Sequence, residues 1–191
     1  REKTLWAEAG HEVAFGQYVY QVEGTPEAPA CGVEFVRSLH NIGVRGENFE
    51  VLFSVLNGGL VSYKYAGREM IEAIPKPNFW RAPTDNDCGS LMQMRYAQWK
   101  IASMYASHKD YRKGMYGPAN APETTVHENS VEVAFTYILP TTPASECRLA
   151  YEVTGDGRVK TTLTYDPVKE LGDMPEFGVL FKFNADYDHV Q

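Results

Sequence analysis

Pro77-Asn78-Phe79-Trp80-Arg81-Ala82-Pro83-Thr84-Asp85-Asn86-Asp87-Cys88-Gly89 is the most informative stretch of this chain. Its two prolines lock φ and push the residues before them, Lys76 and Ala82, toward extended backbone. Between them lie two large aromatics and an arginine, an unusual content for an exposed loop. Asp85-Asn86-Asp87 follows, three short polar side chains that hydrogen-bond their own backbone and favour turns. Gly89 ends the run where a chain needing positive φ would want it. The expectation is a rigid crossover, buttressed by Trp80, Arg81 and Pro83, that delivers a polar, hinge-ended loop to one place. Arg81 is the brace in this reading, stacked on an aromatic and forked onto Asp85 or Asp87.

On both sides of this crossover the chain alternates with period two. Glu50 to Leu56 places Val51, Phe53 and Val55 on one face, and Asn57-Gly58-Gly59 reads as a hairpin turn. Leu60 to Tyr65 returns with Val61, Tyr63 and Tyr65 on one side. Val131, Val133, Phe135, Tyr137 and Leu139 alternate with Glu132, Ala134, Thr136 and Ile138. Leu149, Tyr151 and Val153 lead into Gly155-Asp156-Gly157, a second turn answered by Val159, Thr161, Leu163 and Tyr165. Val179, Phe181 and Phe183 form a last strand. Short strands punctuated by turns predict an all-β, antiparallel sandwich. One helix interrupts it, Leu91 to Ser103 capped by Ser90, with Met92, Tyr96 and Trp99 as its core stripe. Lys109 to Pro122 reads as an exposed connection. Thr4 to Tyr20 reads as one or two strands, and Glu23 to Ala30 as a Pro-rich linker. The division expected is residues 1–20, 21–32 and 33–191.

Bulk properties narrow the function. With 191 residues, 43% hydrophobic and 23% charged, the composition is that of an ordinary globular domain. A net charge of −7 and the lack of a basic run argue against nucleic acid, and no apolar run has the length of a membrane helix. Aromatics at 13% suit strands first and carbohydrate surfaces second. Cys31, Cys88 and Cys147 are odd in number and widely spaced, so a disulfide framework or zinc site is not expected. Free thiols fit a reducing compartment, the cytoplasm. The chain begins at Arg1 without a signal-peptide pattern and reads as a piece of a longer protein.

The signature stretch resembles the NFWRAPTDND-G motif in the C-terminal large sandwich of the long bacterial β-galactosidases of glycoside hydrolase family 2. Trp6-Ala7-Glu8-Ala9-Gly10-His11-Glu12-Val13-Ala14, followed by Gln17, is similar to the last strand of the immunoglobulin-like domain before it. Asn57-Gly58-Gly59-Leu60-Val61-Ser62-Tyr63 resembles the hairpin ahead of the motif. The resemblance implies a mutarotase-like supersandwich, of which this chain carries the first half. It implies a parent that hydrolyses terminal β-galactosyl residues, as in lactose, with retention. The two glutamates responsible would lie in an upstream barrel, so no catalytic residue and no metal ligand is expected here. If the parent holds magnesium and a monovalent cation, they belong to that barrel. The implied partners are the barrel and other domains, the parent's galactoside substrate, and further copies in a homo-oligomer. Asp85, Asn86, Asp87 and Gly89 would form a substrate-pocket loop with a positional role.

The residues themselves offer little independent chemistry. On extended backbone Asp85 and Asp87 would lie roughly 6.5 Å apart on one face. Retaining glycosidases separate their carboxyls by about 5–5.5 Å but place them on opposite sides of the sugar, which strand neighbours cannot do. A calcium site on Asp85, Asn86 and Asp87 lacks the glutamate of an EF-hand loop. His11, His40, His108, His127 and His189 are scattered and read as surface or strand residues rather than ligands. Two rival readings stand beside the first. A carbohydrate-binding module would need exposed Trp or Tyr platforms, and a mutarotase-like epimerase would need a histidine and a glutamate that no motif supplies.

Overall fold

The computed structural model describes residues 2–12, 16, 18, 20, 31–109 and 120–186. Five strands come first: β1 (Glu34–Arg37), β2 (Asn41–Arg45), β3 (Phe49–Ser54), β4 (Gly59–Tyr65) and β5 (Arg68–Glu69). Their connections are too short for a crossover, so each strand pairs antiparallel with the next in a meander. The chain then leaves this sheet through β6 (Lys76–Asn78) and three short helices, α1 (Asp85–Gly89), α2 (Met92–Arg95) and α3 (Ala97–Tyr105). A second meander follows, of β7 (Glu123–Val126), β8 (Ser130–Leu139), β9 (Ser145–Thr154) and β10 (Val159–Tyr165). A 3-10 turn at Lys169–Leu171 precedes β11 (Gly178–Leu180), which returns to pair antiparallel with β6. The architecture is all-β and antiparallel, as expected.

The alternation read from sequence becomes the core. Ile42, Val44, Val51 and Phe53 of the first sheet are buried with Val131, Val133, Phe135 and Leu139 of β8 and Leu149, Tyr151 and Val153 of β9. Phe53 stitches the layers together, its ring centroid 5.4 Å from Tyr151 and 6.3 Å from Phe135. Burying each such side chain contributes roughly 1.5–3 kcal/mol, which is why the inward positions carry no charge. Polar tips tie loops across the seam. The Tyr63 hydroxyl donates to the Gly157 carbonyl at 2.7 Å, and the Tyr137 hydroxyl to the Gly58 carbonyl. Cys31, Cys88 and Cys147 are all free thiols; burial, with Glu146 nearby, pushes that of Cys147 up to about 12.

Several local expectations change. In β4 the core position belongs to Leu60 rather than Val61. A register shift pairs Phe53 with Leu60 and Leu52 with Ser62, so Val61 is the extra residue of a bulge and the alternation resets. The single helix over Leu91 to Ser103 is broken into α2 and α3 at Tyr96, which leaves the helical region, while Leu91 takes left-handed backbone at φ 58° and separates α2 from α1. Ser90 does not cap it; its hydroxyl donates back to the Asp87 carbonyl at the end of α1. The stripe survives this break, with Met92 and Trp99 buried and Tyr96 half-buried.

The last strand is shorter than expected. Phe181 and Phe183 lie beyond β11, exposed and stacked on each other with centroids 5.7 Å apart. Residues 2–12 form turns, with Thr4 N–H donating to the Ala7 carbonyl and His11 N–H to that of Glu8, and no strand. Val13, Gln17 and Val19, the linker Glu23 to Ala30, and residues 110–119 of the exposed connection lie outside the described residues.

Candidate functional site

The crossover after β6 is anchored by Phe79. Its side chain is fully buried, with ring centroids 5.7 Å from Trp99 and 6.3 Å from Tyr165. Its N–H donates to Ser103 Oγ at 2.8 Å, and that hydroxyl donates to the Trp99 carbonyl, so α3 and the crossover share one hydrogen-bonded junction. Asn78 Nδ2 donates to the Trp80 carbonyl, holding the chain extended between the two prolines. Trp80 packs half-buried against the core. Pro83 is exposed, so its contribution is the fixed φ rather than packing.

Arg81 is the brace that its sequence position suggested, and its partner is Asp87. Nη1 donates to Asp87 Oδ2 and Nη2 to Oδ1, a two-point fork, while Nε donates to the Pro175 carbonyl at 3.2 Å. This one side chain therefore ties the crossover to both α1 and the segment before β11. Asp87 also accepts from the Thr84 N–H and the Thr84 hydroxyl, each at 2.8 Å. The Asp87 N–H donates to Thr84 Oγ1, which closes a capping box. The Arg81 hydrogen bonds, with those from Thr84, hold the Asp87 carboxyl far below the usual carboxylate range.

These contacts recast the expected loop. Asp85-Asn86-Asp87 is a one-turn helix rather than an extended or Asx-turn segment. Residues two apart on a helix do not face each other, so Asp85 and Asp87 diverge and cannot act as a carboxylate pair. Asp87 is an internal brace. Asp85 and Asn86 are exposed, and neither side chain has a partner among the described residues. Gly89 is also exposed, but its φ is not positive; the left-handed residue is Leu91. The positive φ expected at Gly89 is therefore not found. The missed signal was Thr84-x-x-Asp87 itself, the pattern of a helix start.

Two hollows flank the crossover. One, of about 390 Å³, is lined chiefly by Trp99, Tyr165, Val168, Met174 and Phe177. The other, of about 230 Å³, includes Asn57, Lys76, Ser107, His108 and Tyr137. Neither is lined by Asp85, Asn86, Asp87 or Gly89, which sit on the surface. His108 was read as a surface or strand residue, and it is neither. It is buried after α3, packed so close to Gly58 that a Cβ there would lie 2.2 Å from the ring. Among the described residues no three of His, Cys, Asp and Glu gather as metal ligands would, and no helix is long and apolar enough to cross a membrane.

Comparison with known proteins places this fold. The family model described as the β-galactosidase small chain matches residues 45–191. A β-galactosidase of Halalkalibacterium halodurans is 38% identical over 100% of this chain and 18% of its own length. One from Clostridium acetobutylicum is 33% identical over 98% of this chain and 20% of its own length. A β-galactosidase small subunit from Latilactobacillus sakei is 30% identical over 73% of this chain and 47% of that protein. The chain thus spans about a fifth of the full β-galactosidases it matches. With a match that runs from β2 to the end of the sequence, the chain belongs to the β-galactosidase small-chain family.

Proposed function

We propose that this chain is a non-catalytic part of a retaining β-galactosidase, and that Thr84 to Ser90 forms part of the rim of its catalytic pocket. The observation that supports this reading is the asymmetry of α1. Asp87 is consumed by Arg81 and Thr84, whereas Asp85 and Asn86 project without a side-chain partner among the described residues, from a turn that the lock holds still. Rigid presentation of free polar groups suits contact with a substrate or with a facing loop. Because these residues lie outside both hollows, a pocket at this turn requires protein from elsewhere in the parent.

In this reading the chemistry resides upstream. Two glutamates of a barrel domain hydrolyse the terminal β-galactoside, and any magnesium or monovalent cation binds there. Glu123 and Glu132 are bridged by Arg148, which donates to both, and so do not offer a free acid–base pair. The three free thiols suit the cytoplasm. The carbohydrate-module reading finds no support in Trp99, which is buried in the core.

The chain incubated with a chromogenic β-galactoside, free of host enzyme, is expected to show no turnover. In the parent, Asp85→Ala and Asn86→Ala are expected to raise KM with little loss of stability. Turnover by the isolated chain that disappears in Asp85→Ala would overturn the non-catalytic assignment. Unchanged KM and kcat in both parent variants would remove the turn from the pocket rim.

A further inference from the structure

The segment before β11 keeps step with the crossover after their ladder has ended. In the ladder Pro77 lies opposite Val179, and Asn78 opposite Gly178. The same antiparallel register, carried outward, sets Phe79 opposite Phe177 and Arg81 opposite Pro175. Ladder bonds do not follow, since Pro175 has no N–H and the Phe79 N–H is given to Ser103 Oγ. Two side-chain links stand in their place. The rings of Phe79 and Phe177 lie 6.3 Å apart between centroids, within the range of a favourable aromatic pair. Arg81 Nε donates to the Pro175 carbonyl at 3.2 Å.

The two links differ in how firmly each end is held. Phe79 is fully buried, so its ring is a fixed platform. Phe177 is exposed and borders the hollow of about 390 Å³, which leaves its ring room to move. Its contact with Phe79 therefore helps to set where the Pro175 carbonyl stands, two residues away. Arg81 passes that position on. Its Nε is spent on Pro175 and both Nη atoms on Asp87, and a planar guanidinium cannot swing toward one without leaving the other. The Glu176 carboxylate, between Pro175 and Phe177 in sequence, adds to Asp87 in favouring the Arg81 charge.

We infer that Phe177 is a positioning residue for the α1 turn: resting on Phe79, it holds the Pro175 carbonyl at Arg81, and Arg81 through Asp87 aims Asp85 and Asn86. The path runs from Phe177 through Pro175, Arg81 and Asp87, residues that the sequence separates by up to 96 positions at its ends. The kinetic consequence rests on the proposed rim; the coupling itself does not.

Hydrogen exchange of the full-length parent, read by peptide mass spectrometry, tests the coupling. The Cys88 and Ser90 N–H groups donate within the turn, to the Thr84 and Asn86 carbonyls, and peptides of β8 report on the core. Phe177→Ala is expected to speed exchange in the turn by roughly threefold or more while β8 stays as in the wild type. Phe177→Tyr keeps the ring and is expected to match the wild type. In an Asp87→Asn background, where the fork is broken, Phe177→Ala is expected to add no further change in the turn. Unchanged exchange at the turn in Phe177→Ala, or an equal effect in the Asp87→Asn background, would overturn the proposal. Should Phe177→Ala fail to fold, Phe177→Leu is read in the same way. For galactoside hydrolysis by the parent, Phe177→Ala is expected to raise KM by roughly threefold with kcat little changed, and Phe177→Tyr to restore it. A turn that exchanges faster at unchanged KM upholds the coupling and counts against the rim, so the two readings fail separately.

Discussion

Arg81 and Asp87 meet at two points, Nη1 on Oδ2 and Nη2 on Oδ1, and this fork joins the crossover to the turn it presents. Lysine keeps the charge but cannot fork. Arg81→Lys and Asp87→Asn should each lower the melting temperature, and the double variant should lose less than the sum, because both remove one contact. Additive losses would show that the fork does not stabilise the fold. The pH dependence has a definite sign. The Asp87 carboxyl is held down in the folded state, so its contribution is complete above the unfolded value of about 4 and is lost as pH falls through the folded value. The gap between wild type and Asp87→Asn should therefore close at strongly acid pH.

Gly89 and Leu91 exchange expected roles. A Cβ on Gly89 would meet nothing within 4 Å, and its φ is not positive. Gly89→Ala should stabilise by about 0.4–1 kcal/mol through the unfolded chain. Leu91→Val should instead destabilise by about 1 kcal/mol or more, since a β-branched residue is ill-suited to φ 58°. Thermal melts of the two variants decide this, and a drop for Gly89→Ala would restore the glycine hinge.

His108 and Gly58 are coupled by contact. Gly58 combines φ 69° with a ring against its α-carbon, so Gly58→Ala should cost about 1–3 kcal/mol. Part of that cost should vanish in a His108→Ala background, where the clash is gone and only the backbone strain remains. Chemical denaturation of the four proteins measures the coupling; a value near zero means the ring moves aside freely.

The same histidine predicts acid sensitivity. Burial lowers its pKa, with Lys109 adding to the effect and the Leu56 and Val55 carbonyls opposing it. Its contribution is therefore present above the unfolded value of about 6.5 and lost as pH falls through the folded one. Melting temperature should decline on acidification below about pH 6.5, and less steeply in His108→Gln. Parallel slopes would assign the decline to other groups.

The bulge in β4 separates two neighbours. Leu60→Ala should cost about 2–5 kcal/mol, because Leu60 is buried opposite Phe53. Val61→Ala, at the extra position, should stay below about 1 kcal/mol. Equal losses would place both side chains in the core.

Much of this protein could be read without coordinates. Period-two burial from Val131 to Leu139, the two glycine turns, the anchored crossover and the Arg81 brace are local consequences of side-chain pattern, proline and charge. They depend on neighbours a few residues away. The bulge at Val61, the left-handed backbone of Leu91, the burial of His108 and the choice of Asp87 as brace do not. The place of His108 is settled by its contact with the Gly58 turn, and the choice of Asp87 over Asp85 by the helical turn that swings it onto Arg81. The strand opposite decides which β4 residue faces the core, and the Gly58 turn decides where an imidazole fits. The lock draws together residues 81, 87 and 175, so only the folded chain reveals that Asp87 is occupied while Asp85 has no side-chain partner among the described residues. Local chemistry specified the strands and turns; long-range packing selected which polar groups remain available for function, because a side chain's partners are set by the fold and not by its sequence neighbours.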